Sequence, residues 1–207
     1  GGLDFFWGNK SGANHLLDFL RNVVPIRSKL SKRLISQDDN SNVFNYKYTA
    51  YAELSPVCKD DMVLLPPALV HQLGGVSPLM LVSRVTATIT LLDPTTLKLV
   101  EISGGTYWHH PFPPVLSAKQ MIEYVVLDIE KIDSQAKEHA HDVTDMRAFN
   151  KQSIYLNTKL CLAQVTLARV SDFGVNDTQF EVITHLGHML KPGDTALGYD
   201  MTNANIA

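Results

Sequence analysis

Proline and glycine limit what this chain can build between residues 55 and 117. Pro56, Pro66-Pro67, Gly74-Gly75, Pro78, Asp93-Pro94, Gly104-Gly105 and prolines at 111, 113 and 114 interrupt the apolar residues before any run reaches the length of a mature helix. Proline lacks an amide donor and glycine enters left-handed turns freely, so such punctuation favours short strands joined by tight turns. The stretch CKDDMVLLPPALVHQLGGVSPLMLVSRVTATITLL at 58–92, with DPTT directly after it, reads as strands at 62–65, 79–85 and 87–92, with a further strand at 97–102. Residues 67–73 suit one or two helical turns. The spacing predicts a small barrel.

The first 54 residues have a different character. LDFFW at 3–7 suits a short strand. Asn9 or Ser11 then caps a helix carrying Ala13, Leu16, Leu17, Phe19, Leu20 and Val23 at helical spacing, which Pro25 ends. Residues 26–36 alternate, with Ile26, Ser28 and Leu30 pointing one way and Arg27, Lys29 and Ser31 the other. QDDNSN at 37–42 is a turn. Residues 43–54 form an aromatic-rich strand with Phe44, Tyr46 and Tyr48 on one face and Lys47 on the other. This order is β-α-β-β.

Residues 118–207 return to strands, at 123–132, 160–170, 180–184 and 195–199, with KPGD at 191–194 as a turn. A polar, poorly periodic insertion occupies 133–158. Short strands with one long insertion suit a partly open barrel of the oligonucleotide-binding (OB) type. The fold class expected is therefore α+β, mostly β: a β-α-β-β module at 1–54, an SH3-like barrel at 55–117 and an OB-like barrel at 118–207.

Composition narrows the function. The net charge of −3 rules out a polycation, so any nucleic-acid surface is local. No apolar run reaches the roughly 18 residues of a membrane span, and the start has no signal-peptide pattern. The chain opens on Gly1-Gly2, which reads as a fragment of something longer. Cys58 and Cys161, about a hundred residues apart, suit two reduced thiols and cannot make a four-thiolate zinc site.

The strongest local signal is basic. Between Phe19 and Gln37 stand Arg21, Arg27, Lys29, Lys32 and Arg33 with no acidic residue, and Lys47 joins them across the sheet. Such clusters bind phosphate backbones by releasing counterions, and flanking aromatics stack on unpaired bases. A solvated strand edge, protected from aggregation by lysine, is the competing explanation. Arg84 and Lys191 are weaker RNA candidates. Trp108, in TYWHHPF, reads first as an anchor between the two barrels and second, with His109, as a contact for a partner.

Chemistry finds little support. His109-His110, His139 with His141, and His185 with His188 lack the converging third ligand of a zinc enzyme, and no HExxH occurs. No GxSxG or phosphate-cradling glycine loop is present; Gly74-Gly75 and Gly104-Gly105 read as barrel turns. Asp38-Asp39 and Asp60-Asp61 fall in predicted turns, where capping and solvation account for them.

These segments together resemble one family. HLLDFLRNVVPIRSKLSKRLISQD, NYKY, PVCKDDMVLLPP, SPLMLVSRVTATITLLDPTTL, AKQMIEYVVLDIE and THLGHMLKPGDTALGYDM, in this order and spacing, are similar to the central region of the nuclear export adaptor for the large ribosomal subunit, the nonsense-mediated-decay-protein-three family. The resemblance covers essentially the whole chain. It implies a central region similar to translation factor five-A, docked at the exit-tRNA site beside the mobile stalk. It also implies shuttling between nucleus and cytoplasm, an exportin bound through a C-terminal tail, and release by a GTPase. The factor's long loop with a modified lysine corresponds here to SRVTAT at 83–88, which is short and lacks lysine. The family's paired CxxC zinc motifs are not in this sequence, so no cofactor is expected in it. The expected function is a non-catalytic ribosome-binding module. The alternatives are a hydrolase or transferase using Cys58, and a protein-interaction scaffold.

Overall fold

The computed structural model describes residues 2–38, 43–132, 154–156, 160–172, 174–176 and 178–201. Among them the chain is mostly β, in three antiparallel sheets. The insertion expected at 133–158 lies outside the described residues except for 154–156.

The segment 3–7 is not a strand. Leu3, Phe5 and Phe6 are exposed, and Trp7 folds back over the first turn of the helix that follows. A Cβ on Gly12 would stand 2.5 Å from the Trp7 ring, so the missing side chain makes that seat. The helix α1 spans Lys10–Val23; the Asn9 side chain accepts from the Gly12 amide at 3.0 Å, and Pro25 follows the C-cap Val24. The opening module is therefore α-β-β. Among the described residues its strands β1 (Ile26–Asp38) and β2 (Val43–Leu54) pair only with each other, as a long ribbon.

The first barrel is a six-stranded sheet. Its strands are β3 (Met62–Leu64), β4 (Leu79–Val85), β5 (Thr88–Leu92), β6 (Lys98–Ser103) and β7 (Pro114–Leu116), with β9 (Ile154–Leu156) on the far edge beside β6. The end of the long insertion thus returns to this barrel. Val63, Leu69, Leu73, Met80, Val82, Ile89, Leu91, Val100, Ile102, Tyr107 and Phe112 form one buried core. The helix α2 (Pro67–Gln72) starts with proline, whose absent amide costs nothing there, and ends at Gly74 and Gly75, both at positive φ. The Gly75 amide reaches Val70 and the Gly74 amide reaches His71, a Schellman closure that a β-carbon would strain. The turn after β5 is closed by buried Asp93, which accepts from the Thr95 and Thr96 amides and the Thr96 hydroxyl. Between β4 and β5 only Thr86 and Ala87 intervene, so the expected short connection is present.

Gly104-Gly105 is not a barrel turn. It opens α3 (Gly104–His109), capped by the Ser103 hydroxyl on the Thr106 amide. Tyr107 is buried on this helix, donates its hydroxyl to the Phe112 carbonyl at 3.1 Å, and meets the Trp108 and Phe112 rings edge-on.

The second barrel has the order β11-β10-β8-β12, from β8 (Ile122–Lys131), β10 (Ala163–Arg169), β11 (Phe180–Thr184) and β12 (Thr195–Gly198). The KPGD turn has Gly193 at positive φ, and the Lys191 amide is bound by Asp194. Besides the β6–β9 pairing, two side chains among the described residues hydrogen-bond across the junction of the barrels. The Tyr199 hydroxyl donates to the Asp60 carbonyl at 2.5 Å, and Asp61 accepts from the Cys58 amide at 2.8 Å and the Ala118 amide at 3.1 Å. Asp61 is buried, which corrects the expectation of solvation there while the capping stands: its carboxylate binds the Cys58 amide of its own turn and the Ala118 amide across the barrel junction.

Candidate nucleic-acid interface

The ribbon sorts the basic residues by strand alternation. On one face Arg27 stands opposite Glu53, Lys29 opposite Tyr51, Ser31 opposite Thr49 and Arg33 opposite Lys47. On the other face Ser28 stands opposite Ala52, Leu30 opposite Ala50, Lys32 opposite Tyr48 and Leu34 opposite Tyr46. A bulge at Ile35 follows, between Leu34 and Ser36. The single basic cluster expected from sequence is therefore two surfaces. Lys29, Arg33 and Lys47 share one face with Arg27 at its root, and Lys32 belongs to the other.

Helix α1 covers only the lower part of the second face. Leu17 is buried there, Arg21 reaches Ser28 at 3.0 Å, and the Lys10 ammonium lies 5.0 Å from the Tyr48 ring centre. Arg21 is also held by Asp18 at 2.8 Å. Beyond the helix the ribbon stands free, and both of its faces are exposed.

Arg27 is committed to the fold. Its guanidinium contacts Glu53 at 2.6 Å and lies 4.9 Å from the centre of the Trp108 ring. Trp108 thereby supports the root of the ribbon, whereas the sequence alone suggests an anchor between the two barrels. A neighbouring close approach reinforces this seat: a Cβ on Gly104 would lie 3.4 Å from both Pro25 and the Ala87 carbonyl. The Trp108 indole nitrogen is buried without a hydrogen-bond partner among the described residues. His109, next on α3, is exposed.

Lys29, Arg33 and Lys47 have no ion pair among the described residues. Arg33 and Lys47 are directly opposed in register, an arrangement that repels unless an anion lies between them. Arg84 is exposed on β4 beyond a bulge at Ser83, and Lys191 sits in the far turn of the second barrel. Neither joins the ribbon face.

The second barrel presents a different surface. Asp128 and Glu181 flank Thr166 on neighbouring strands, and Glu130 pairs with Gln164 beside them; all three carboxylates are exposed. Phosphate is repelled there, so this sheet face is unsuited to a nucleic-acid backbone despite its OB topology. Cys58 is exposed in the turn before β3. No cluster of three or more His, Cys, Asp or Glu residues suited to a metal occurs among the described residues. His185 is partly buried, which lowers the pKa of its imidazole from the ordinary value.

Comparison with known proteins matches three family models in sequence. The second-domain model of NMD3 covers residues 1–54, the NMD3 SH3 domain residues 57–105 and the NMD3 OB-fold domain residues 121–207. The protein named 60S ribosomal export protein NMD3 from Chaetomium thermophilum is 42% identical over 204 residues, covering 99% of this chain and 35% of that protein. Its namesake from Saccharomyces cerevisiae is 38% identical over 204 residues, with 99% and 35% covered. The one from Mus musculus is 38% identical over 205 residues, with 99% and 38% covered. The chain thus spans little more than a third of the length of these relatives.

Proposed function

The chain belongs to the NMD3 family, and on that premise we propose that it is a non-catalytic ribosome-binding region of an adaptor that exports the large ribosomal subunit. The observation that carries the RNA contact is the register pair of Arg33 and Lys47, two exposed cations opposed on a freestanding ribbon with Lys29 on the same face. An RNA phosphate relieves their repulsion and fits their spacing on adjacent strands. In this reading three units, 1–54, 55–117 and 118–207, dock near the exit-tRNA site and its mobile stalk and persist into late cytoplasmic maturation. An exportin binds a C-terminal tail, a GTPase releases the adaptor, and the protein shuttles between nucleus and cytoplasm. The two-residue β4–β5 connection supports docking without the reach of the five-A loop.

The test is co-sedimentation with purified large subunits across a salt series. Wild-type binding should weaken steeply as salt rises. Arg33→Gln with Lys47→Gln should flatten the logarithmic slope by about 0.7–0.9 for each phosphate that is no longer neutralised. Unchanged affinity and slope in the double variant would remove this face from the interface.

A further inference from the structure

The other face of the ribbon has a composition of its own. Phe44, Tyr46 and Tyr48 follow one another at every second residue, with ring centres 6.4 Å apart at each step. Strand geometry makes this column about 13 Å long. All three rings are exposed, at 43%, 39% and 46%. The Lys32 ammonium lies 3.5 Å from the centre of the Tyr46 ring and 5.9 Å from that of Tyr48. A row of rings in water is unfavourable on a free protein, and only the Tyr48 end is approached by α1, through Lys10.

Charge selects the occupant. Residues 27–37 and 43–52 of the ribbon carry Arg27, Lys29, Lys32, Arg33 and Lys47 and no carboxylate; Asp38 ends β1, and Glu53 stands at the root. A partner seated on the aromatic face meets Lys32, with Lys10 at the Tyr48 end, and no carboxylate of these ribbon residues, so it is anionic and offers flat apolar faces. Unpaired nucleotides combine both properties, because each carries a phosphate and a base with two π-faces. A duplex hides its bases and would leave the rings unused.

We propose that the ribbon holds RNA on both faces, phosphates against Lys29, Arg33 and Lys47 on one and unpaired bases stacked on Phe44 and Tyr46 on the other. This rests on the RNA-binding reading above and extends it to the class of RNA recognised. An exposed ammonium–ring contact is weaker than a base stack, so an arriving base takes the Tyr46 face and frees Lys32 for that nucleotide's phosphate. The ribbon then acts as a wedge between two RNA segments, one read by charge and one by stacking.

The experiment measures binding of this chain to two RNAs by fluorescence anisotropy, a single-stranded dodecamer with 2-aminopurine at its centre and a hairpin whose fully paired stem is closed by a non-nucleotide linker. For Phe44→Thr with Tyr46→Thr, single-strand affinity should fall about 10-fold or more, the 2-aminopurine quenching should vanish, and hairpin affinity and salt slope should stay unchanged. Tyr46→Phe keeps the ring and should restore binding and quenching, which separates stacking from misfolding. Arg33→Gln with Lys47→Gln should weaken both RNAs and reduce the salt slope. Equal weakening on both RNAs in the threonine variant, or none on either, overturns the stacking proposal and leaves the phosphate face standing. Retained RNA binding together with failure to co-sediment with intact subunits overturns it in favour of a protein occupant. Insensitivity of both RNAs to the glutamine variant instead sinks the underlying RNA reading.

Discussion

The guanidinium of Arg27 lies 4.9 Å from the ring centre of Trp108, joining the second residue of β1 to the helix that closes the first barrel. An isolated two-stranded ribbon is marginal in water, so its orientation depends on such seats at the root. Arg27→Ala removes this contact and the Glu53 ion pair, which together contribute about 1 kcal/mol because the guanidinium they share is largely exposed. Hydrogen exchange should accelerate in β1 and β2 while the amides of β4, β5 and β6 keep their protection. Uniform acceleration throughout would mean that ribbon and barrel unfold as one unit.

Asp61 offers a sharper perturbation. Its two carboxylate oxygens accept from the Cys58 and Ala118 amides at a buried site. Asp61→Ala leaves both donors without an acceptor and should cost about 2–4 kcal/mol in urea unfolding. A decrease of less than about half a kcal/mol would show that the junction relaxes to admit solvent.

The seam between the barrels should be sensitive to alkali. Burial, and then the Asp61 and Asp60 carboxylates, push the Tyr199 hydroxyl from 10.0 up to about 12. The unfolded chain therefore loses this proton first, so the contribution is complete below pH 10 and disappears as pH rises through 12. Tyr199→Phe should be less stable than wild type near neutrality and should lose less stability across that window. Parallel curves for the two proteins would locate the alkaline transition elsewhere.

His185 sets the opposite limit. Burial lowers its pKa below 6.5, so the unfolded chain takes up the proton more readily. Its contribution is complete above pH 6.5 and is lost as pH falls below that value. In thermal melts between pH 7 and pH 5, His185→Gln should show a shallower decline in midpoint than wild type. An equally steep decline would exclude this imidazole as the source.

The alternation of residues 26–34 and 43–54 already contains the two faces of the ribbon. Lys32 and Arg33 look like one patch only when charge is counted along the chain: neighbours in a strand point to opposite sides, and the register Lys32–Tyr48 and Arg33–Lys47 separates them. The strand expected at 3–7 does not form because LDFFW has no partner strand among the described residues, and side-chain type cannot supply one. Gly104-Gly105 reads as a turn because glycine is common in turns, yet the Ser103 cap and the buried Tyr107 hold it as a helix.

The sequence alone carried what is local: strand lengths set by proline and glycine, a capped helix ended by Pro25, a turn at Gly74-Gly75, the DPTT and KPGD turns, and a membership legible in the order of its segments. These depend on backbone restrictions acting over a few residues. Tertiary structure alone decided that β9 crosses to the first barrel, that Asp61 is buried at a junction, that Trp108 carries Arg27, and that carboxylates cover one face of the second barrel. Those outcomes depend on which distant surfaces meet and exclude water, and a pattern read along one segment contains no record of its partners.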